Sequence, residues 1–214
     1  MGKIIAVDGP AGAGKSTVSK IVASKLGYTY IDTGAMYRAA ALKVLNTKKN
    51  ITEDLIAEEM KNIEILLDES ARVFLNGEDV TKKIRTPEVS QAASDVAKLG
   101  FVREKLTEMQ RKMAERGSVI MDGRDIGTKV LPNADLKIFL TASIDERAKR
   151  RFDELKEKNI SANLEDVKND IAARDKQDST RKIAPLAQAE DAILLDTTNL
   201  TIDEVVEKIL NLAR

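Results

Sequence analysis

Eight residues, Gly9-Pro10-Ala11-Gly12-Ala13-Gly14-Lys15-Ser16, meet the pattern G-x-x-x-x-G-K-[ST] at every fixed position. The pattern demands a strand before it and a helix after it, and both flanks comply. Lys3 to Val7 is a short apolar, β-branched run that reads as a buried strand. Val18, Ile21, Val22, Lys25 and Leu26 then recur at helical spacing. Three glycines let the backbone turn successive N–H groups into one concavity, which makes the loop an anion nest. The helix beginning near Lys15 adds its positive end, the Lys15 ammonium is in reach of β- and γ-phosphates, and the Ser16 hydroxyl, followed by Thr17, is placed to ligate Mg²⁺. The alternative is an ordinary glycine-rich strand-to-helix turn. It would not require four fixed positions and both flanks to agree.

The rest of the composition restricts the chemistry. Thirty-five basic residues balance 35 acidic ones, so any basic site must be local, and no net field favours nucleic acid. The chain lacks cysteine and histidine, which leaves catalysis to Asp, Arg, Lys and Mg²⁺. Its 214 residues suit a single domain with a sizeable core. Met1-Gly2-Lys3 runs directly into the first strand, and no apolar run approaches the roughly 18–20 residues of a membrane span. A cytoplasmic protein is expected, with no membrane partner.

Further along, Tyr28 to Ile31 is a second β-rich run closed by Asp32-Thr33-Gly34, completing a βαβ unit with parallel strands. A helix over 35–45 carries Tyr37 and Arg38 in its first turn, with Arg38 a candidate phosphate ligand near the loop's mouth. Between 51 and 85 the texture changes. A charged helix capped by Thr52 precedes short β runs at 64–68, 72–75 and 78–80, which read as an antiparallel meander beside the main sheet. Helical patterns follow at 86–97 and 101–115, with Ser94 and Arg103 on either side of the break at Leu99-Gly100. Apolar runs at 118–121, 136–141 and 192–195 supply three more strands, and a helix over 202–212 closes the chain. Strands alternating with helices predict an α/β doubly wound sheet.

Two acidic and basic groupings bear on function. Asp122 closes the strand at 118–121, where an acid can hold Mg²⁺ through water. Arg147, Arg150 and Arg151 share one helix face by spacing, while Arg174, Asp178 and Arg181 follow i, i+4, i+7 on a second helix capped by Asn163. Joined through Glu157-Lys158-Asn159-Ile160, these helices read as a mobile arginine-rich lid; the plainer reading is a solvated, charge-rich pair. A phosphate loop with many arginines and no histidine suits phosphoryl transfer, which needs charge stabilisation and alignment more than a base.

At this point the chain resembles the cytidylate kinase family, the bacterial type among the P-loop nucleoside monophosphate kinases. The resemblance rests on Gly-Pro-x-Gly-Ala-Gly-Lys-Ser-Thr at 9–17, Asp-Thr-Gly-Ala-Met-Tyr-Arg at 32–38, Asp-Gly-Arg-Asp-Ile-Gly-Thr at 122–128 and Arg-Asp-x-x-Asp-Ser-x-Arg at 174–181. It implies one kinase domain with a five-stranded parallel sheet in a core of 1–50, 86–145 and 190–214, a monophosphate-binding insert at about 51–85, and a lid at about 146–185. The implied reaction takes ATP and CMP or dCMP to ADP and CDP or dCDP, in a monomer, with Mg²⁺ bridging the ATP phosphates. By resemblance, Arg38, Arg124 and Arg181 meet the CMP phosphate, while Ser94, Arg103 and Asp125 meet the cytosine. Arg174 and Asp178 meet the ribose hydroxyls, and Thr33 stands where many relatives carry serine. Lys15, Arg124, Arg147, Arg151, Arg174 and Arg181 are the cations expected around the transferring phosphoryl group. A kinase for UMP, AMP or a non-nucleotide alcohol, and a P-loop switch, are the rival readings. The switch lacks an Asn-Lys-x-Asp guanine-reading segment.

Overall fold

Strand β1 (Ile4–Asp8) is buried on both faces, and the period of two distributes its side chains between two cores. Ile5 and Val7 join one apolar cluster and Ala6 joins the other. Strand β6 (Val119–Gly123) divides in the same way, with Ile120 on the first side and Val119 and Met121 on the second. The computed structural model describes residues 2–115, 117–157 and 159–214. Met1 and Lys158, named above, lie outside them.

The main sheet is parallel, in the order β2-β6-β1-β7-β8, with β2 at Thr29–Asp32, β7 at Leu136–Thr141 and β8 at Ile193–Asp196. Helices α1 (Lys15–Leu26) and α8 (Ile202–Ala213) pack on the Ile5 side through Val18, Val22, Val205, Val206 and Ile209. Helices α2 (Thr33–Asn46), α4 (Pro87–Val96) and α5 (Gly100–Ala114) cover the Ala6 side. The chain moves from β1 out to β2, returns as β6 beside β1, then crosses to β7 on β1's other flank. The order therefore reverses beside β1, and the crevice at the carboxyl ends of such strands is where ligands bind.

The segment between α2 and α4 holds α3 (Glu53–Lys61) and a three-stranded antiparallel sheet of β3 (Ile65–Leu67), β4 (Val73–Leu75) and β5 (Glu78–Asp79). Its apolar side chains, among them Ile56, Ile65, Val73 and Ile84, continue the Ala6-side cluster rather than building a second core. Helices α6 (Ile144–Glu157) and α7 (Leu164–Thr180) form a hairpin around a small cluster of Ala148, Val167 and Ile171.

Two expectations need correction. Asp32 takes the N-cap position of α2, accepting from the Ala35 N–H, so the helix starts at Thr33 and Arg38 lies beyond its first turn. Helix α7 ends at Thr180. Arg181 has extended backbone, at φ −63° and ψ 144°, and leaves the face that Arg174 and Asp178 share. A π-turn at Ile126–Val130, unforeseen from the sequence, follows Asp125.

Candidate active site

The loop from Gly9 to Gly14 is held open by close approaches of its own fold. Gly9 lies at φ 148°, and a Cβ there would stand 1.9 Å from the Leu140 carbonyl oxygen, so strand β7 admits only glycine. Gly14 caps α1 in the left-handed conformation at φ 87° with no side chain bonded to the helix end, which leaves the first-turn amides for an anion. Lys15 is buried and folds back so that its Nζ donates to the Pro10 carbonyl at 2.7 Å. Burial first, and Arg124 second, press its ammonium down to about 7.

Asp122 forms the hub beside it. Ser16 Oγ donates to its Oδ2 and Tyr30 OH to its Oδ1, each at 2.8 Å, while Thr33 Oγ1 donates to its backbone carbonyl at 2.7 Å. Burial first, then the neighbouring Asp32 charge, push the Asp122 carboxyl up to about 6. Ser16 and Asp122 supply hard oxygen donors of the kind Mg²⁺ takes. Among the described residues no cluster of three or more acids or other metal-ligating side chains exists. The donor set thus fits an ion that completes its shell with water and phosphate oxygens, as Mg²⁺ does.

A second group of charges gathers opposite the loop. Arg38 and Arg85 flank Asp32, each at 3.1 Å. Burial alone would raise the Asp32 carboxyl, but the two guanidinium groups hold it below the ordinary carboxylate range. Arg124 Nε donates to Asp178 Oδ2 at 2.9 Å. Arg181 stands 3.8 Å from Asp178 and 3.3 Å from Asp125. Arg103 donates to the other oxygen of Asp125 at 2.5 Å, and its guanidinium lies 5.4 Å from the centroid of the Tyr37 ring. Among the described residues, two donors in this group have no protein partner, Arg38 Nε and Arg174 Nε, and both are buried. Burial, then Arg124, lowers Arg174 to about 10. Buried cationic N–H groups left open call for an anion to complete them.

The structure therefore brings together Lys15, Ser16 and Asp122 on one side and Arg38, Arg103, Arg124, Asp125, Arg174, Asp178 and Arg181 on the other. Ser94 is drawn in less directly. Its hydroxyl donates to the Ser90 carbonyl at 3.4 Å, and its own carbonyl accepts from Gln177 of α7 at 3.0 Å.

The arginines of α6 do not converge as their spacing suggested. Arg147 is buried and committed to protein oxygens: Nε donates to Ala142 at 2.9 Å, and Nη1 lies 3.0 Å from the Ala11 carbonyl and 2.5 Å from Asp175. Arg150 turns to the Thr197 carbonyl at 2.8 Å, and Arg151 to Glu154 at 2.7 Å. Positions i, i+3 and i+4 fan across an arc, and each long side chain takes the acceptor nearest its own edge.

Sequence reasoning missed several participants. Asp32 and Asp8 are the last residues of β2 and β1, and Asp122 the last but one of β6, so the same signal was available for both. Asp175 accepts from the Ala11 N–H at 3.3 Å and thereby ties α7 to the phosphate loop; its neighbour Arg174 drew attention instead. Arg85 sits in a charged turn with nothing local to distinguish it.

Comparison with known proteins identifies the family. A family model described as cytidylate kinase matches residues 5–214. The chain is 58% identical to the cytidylate kinase of Caldicellulosiruptor bescii, covering 97% of this chain and 94% of that protein. It is 53% identical to the cytidylate kinase of Bacillus cereus over the same shares. Among solved structures, an uncharacterized protein from Eubacterium ventriosum superposes with a TM-score of 0.57 at 14% identity, covering 100% of this chain and 98% of that one. Shikimate kinase from Acinetobacter baumannii gives 0.50 at 16% identity, over 99% and 93%. At such identities the two structures speak for the fold alone.

Proposed function

The chain belongs to the cytidylate kinase family, and from that premise we propose that it transfers the γ-phosphoryl group of ATP to CMP or dCMP, giving ADP and CDP or dCDP. The observation that carries the assignment to this site is the pair of buried donors without a partner among the described residues, Arg38 Nε and Arg174 Nε, on arginines whose charges act on Asp122 and Lys15 respectively. A second anion besides the ATP phosphates completes Arg38 Nε, and the monophosphate of CMP is that anion; Arg174 Nε is left for the sugar and the transferring group.

ATP lies in the loop from Gly9 to Thr17, with Lys15 leaving the Pro10 carbonyl to meet its phosphates. Ser16 and Asp122 would hold Mg²⁺, which supplies charge neutralisation at the β- and γ-oxygens when bound. Arg38, Arg124 and Arg181 receive the acceptor phosphate. Asp125 accepts from the 4-amino group of cytosine while Arg103 and Ser94 meet its other edge, an arrangement that disfavours uracil, whose O4 is itself an acceptor. Asp178 receives the ribose hydroxyls beside Arg174. A general base is unnecessary, because the acceptor phosphate is already an anion; alignment and neutralised repulsion carry the step.

The hairpin of α6 and α7, with its small separate cluster, serves as the lid. Arg151 and Arg174 approach the transferring group as it closes. Arg147, bound to Ala11 and Asp175, acts from behind the loop by fixing its shape. The segment at 51–85 serves as the monophosphate-binding insert and contributes Arg85. The enzyme is proposed to act as a monomer. No described helix is long and apolar enough to cross a membrane, and with these substrates the proposed place of action is the cytoplasm.

The test is an acceptor panel at saturating ATP. ADP formation that rises steeply with CMP and dCMP, weakly with UMP and not with AMP supports the reading; ATP hydrolysis indifferent to every acceptor contradicts it.

A further inference from the structure

Asp8 closes β1 immediately before Gly9, and no step above uses it. It is 4% exposed, and no ion pair reaches it among the described residues. Both of its oxygens are spent on backbone: the Ile126 N–H donates to Oδ1 at 2.8 Å and the Gly127 N–H to Oδ2 at 2.7 Å. Burial pushes the carboxyl up to about 6, so the fold bears a cost for keeping an acid there.

The two amides it holds are the ones that follow Asp125. The Asp125 carbonyl is fixed as well, accepting from Lys129 N–H at 2.9 Å and Val130 N–H at 3.1 Å. The peptide groups after Asp125 are thus hydrogen-bonded on both sides, and from where they hold it its carboxylate reaches Arg103 and Arg181. Little free space surrounds the junction. A Cβ on Gly127 would stand 3.1 Å from the Lys137 side chain and 3.4 Å from Asp8 Oδ2. Asp8 is also covalently joined to the first glycine of the phosphate loop, whose entry the Leu140 carbonyl confines.

We propose that Asp8 is a positioning residue for base recognition: its carboxylate sets the place of Asp125 and couples that place to the entry of the phosphate loop. The inference rests on the reading that Asp125 meets the cytosine amino group. A carboxylate suits the task because it presents two acceptors to two consecutive N–H groups. An amide presents one acceptor and sets its NH₂ against the other donor.

The experiment compares kcat/KM for CMP and for UMP in Asp8→Asn, Asp125→Ala and the double variant. Asp8→Asn is expected to lower the CMP-over-UMP ratio by about 10-fold, the scale of one charge-assisted hydrogen bond. In the Asp125→Ala background the same change should move the ratio no further, because its route runs through Asp125. Equal losses for both nucleotides in Asp8→Asn, or a ratio that falls again in the double variant, would overturn the proposal. If Asp125→Ala changes the ratio and Asp8→Asn does not, the inference falls and the base-reading role stands. If Asp125→Ala leaves the ratio unchanged, both fall. Should thermal melting show that Asp8→Asn does not fold, Gly127→Ala sets a methyl group against Asp8 Oδ2 with Asp8 itself unchanged: a lowered ratio supports the proposal, and an equal loss or an unchanged ratio overturns it.

Discussion

Arg124 and Asp178 stand 54 residues apart in sequence and meet at 2.9 Å, joining the end of β6 to the far end of α7. Arg181 steadies the other oxygen of Asp178 from 3.8 Å. Arg124 rather than Arg174 is the hydrogen-bond donor to this carboxylate, and Arg174 Nε is without a partner among the described residues. Asp178 keeps lone pairs free to accept from a ribose 2′-hydroxyl. Such a bond is worth about 1.5–3 kcal/mol, or roughly 10- to 150-fold. Asp178→Ala should reduce kcat/KM for CMP by that factor and for dCMP by less. Parallel kinetics on the two substrates check this, and equal losses would remove Asp178 from sugar recognition.

Lys15→Ala should cost about 3–4 kcal/mol of transition-state stabilisation, a loss of roughly 10²–10³-fold in kcat. The ammonium is buried against a backbone carbonyl rather than an acid, so its removal should leave the far-ultraviolet circular dichroism spectrum unchanged. Turnover near normal at saturating ATP would show that the lysine does not act on the phosphates.

Binding of ATP should take up a proton. Free Lys15 titrates at about 7, well below the ordinary lysine range, so at pH 8 it is mostly neutral. A triphosphate beside it favours the charged form and raises that value. Uptake is therefore greatest between the free value and the bound one, and affinity declines as pH rises above about 7. Calorimetric titration with metal-free ATP at pH 8, in buffers of different ionisation enthalpy, should report close to one proton gained. Lys15→Ala should report none.

Gly9→Ala tests the loop's geometry through stability. The methyl group would meet the Leu140 carbonyl at 1.9 Å in a backbone conformation closed to alanine. A cost of about 2 kcal/mol or more is expected, which corresponds to a drop of roughly 4–8 °C in Tm. An unchanged melting curve would mean that the β1 exit and β7 are not packed as described.

The parts of the fold written in local pattern were legible. The phosphate loop, the five parallel strands and the meander between α3 and α4 each carry their own spacing, and strand ends moved by only a residue or two. What depended on the third dimension was hidden. No spacing in the sequence could reveal that Asp175 would reach Ala11, that Arg147 would be consumed by backbone carbonyls, or that Arg181 would leave its helix to meet Asp125. The acids at the strand ends are intermediate cases. Asp122 is legible from its position at a strand's carboxyl end, and Asp8 and Asp32 hold similar strand-end positions that do not by themselves tell a site acid from a structural one.

The most direct test of the account follows the phosphorus atom itself. ATP labelled at the γ-phosphate is incubated with the enzyme, Mg²⁺ and CMP, and the products are separated. Label should appear at the β-phosphate of CDP in amounts equal to the ADP formed, and omission of CMP should suppress ADP by orders of magnitude. Label released as inorganic phosphate at the same rate with and without CMP would contradict the account.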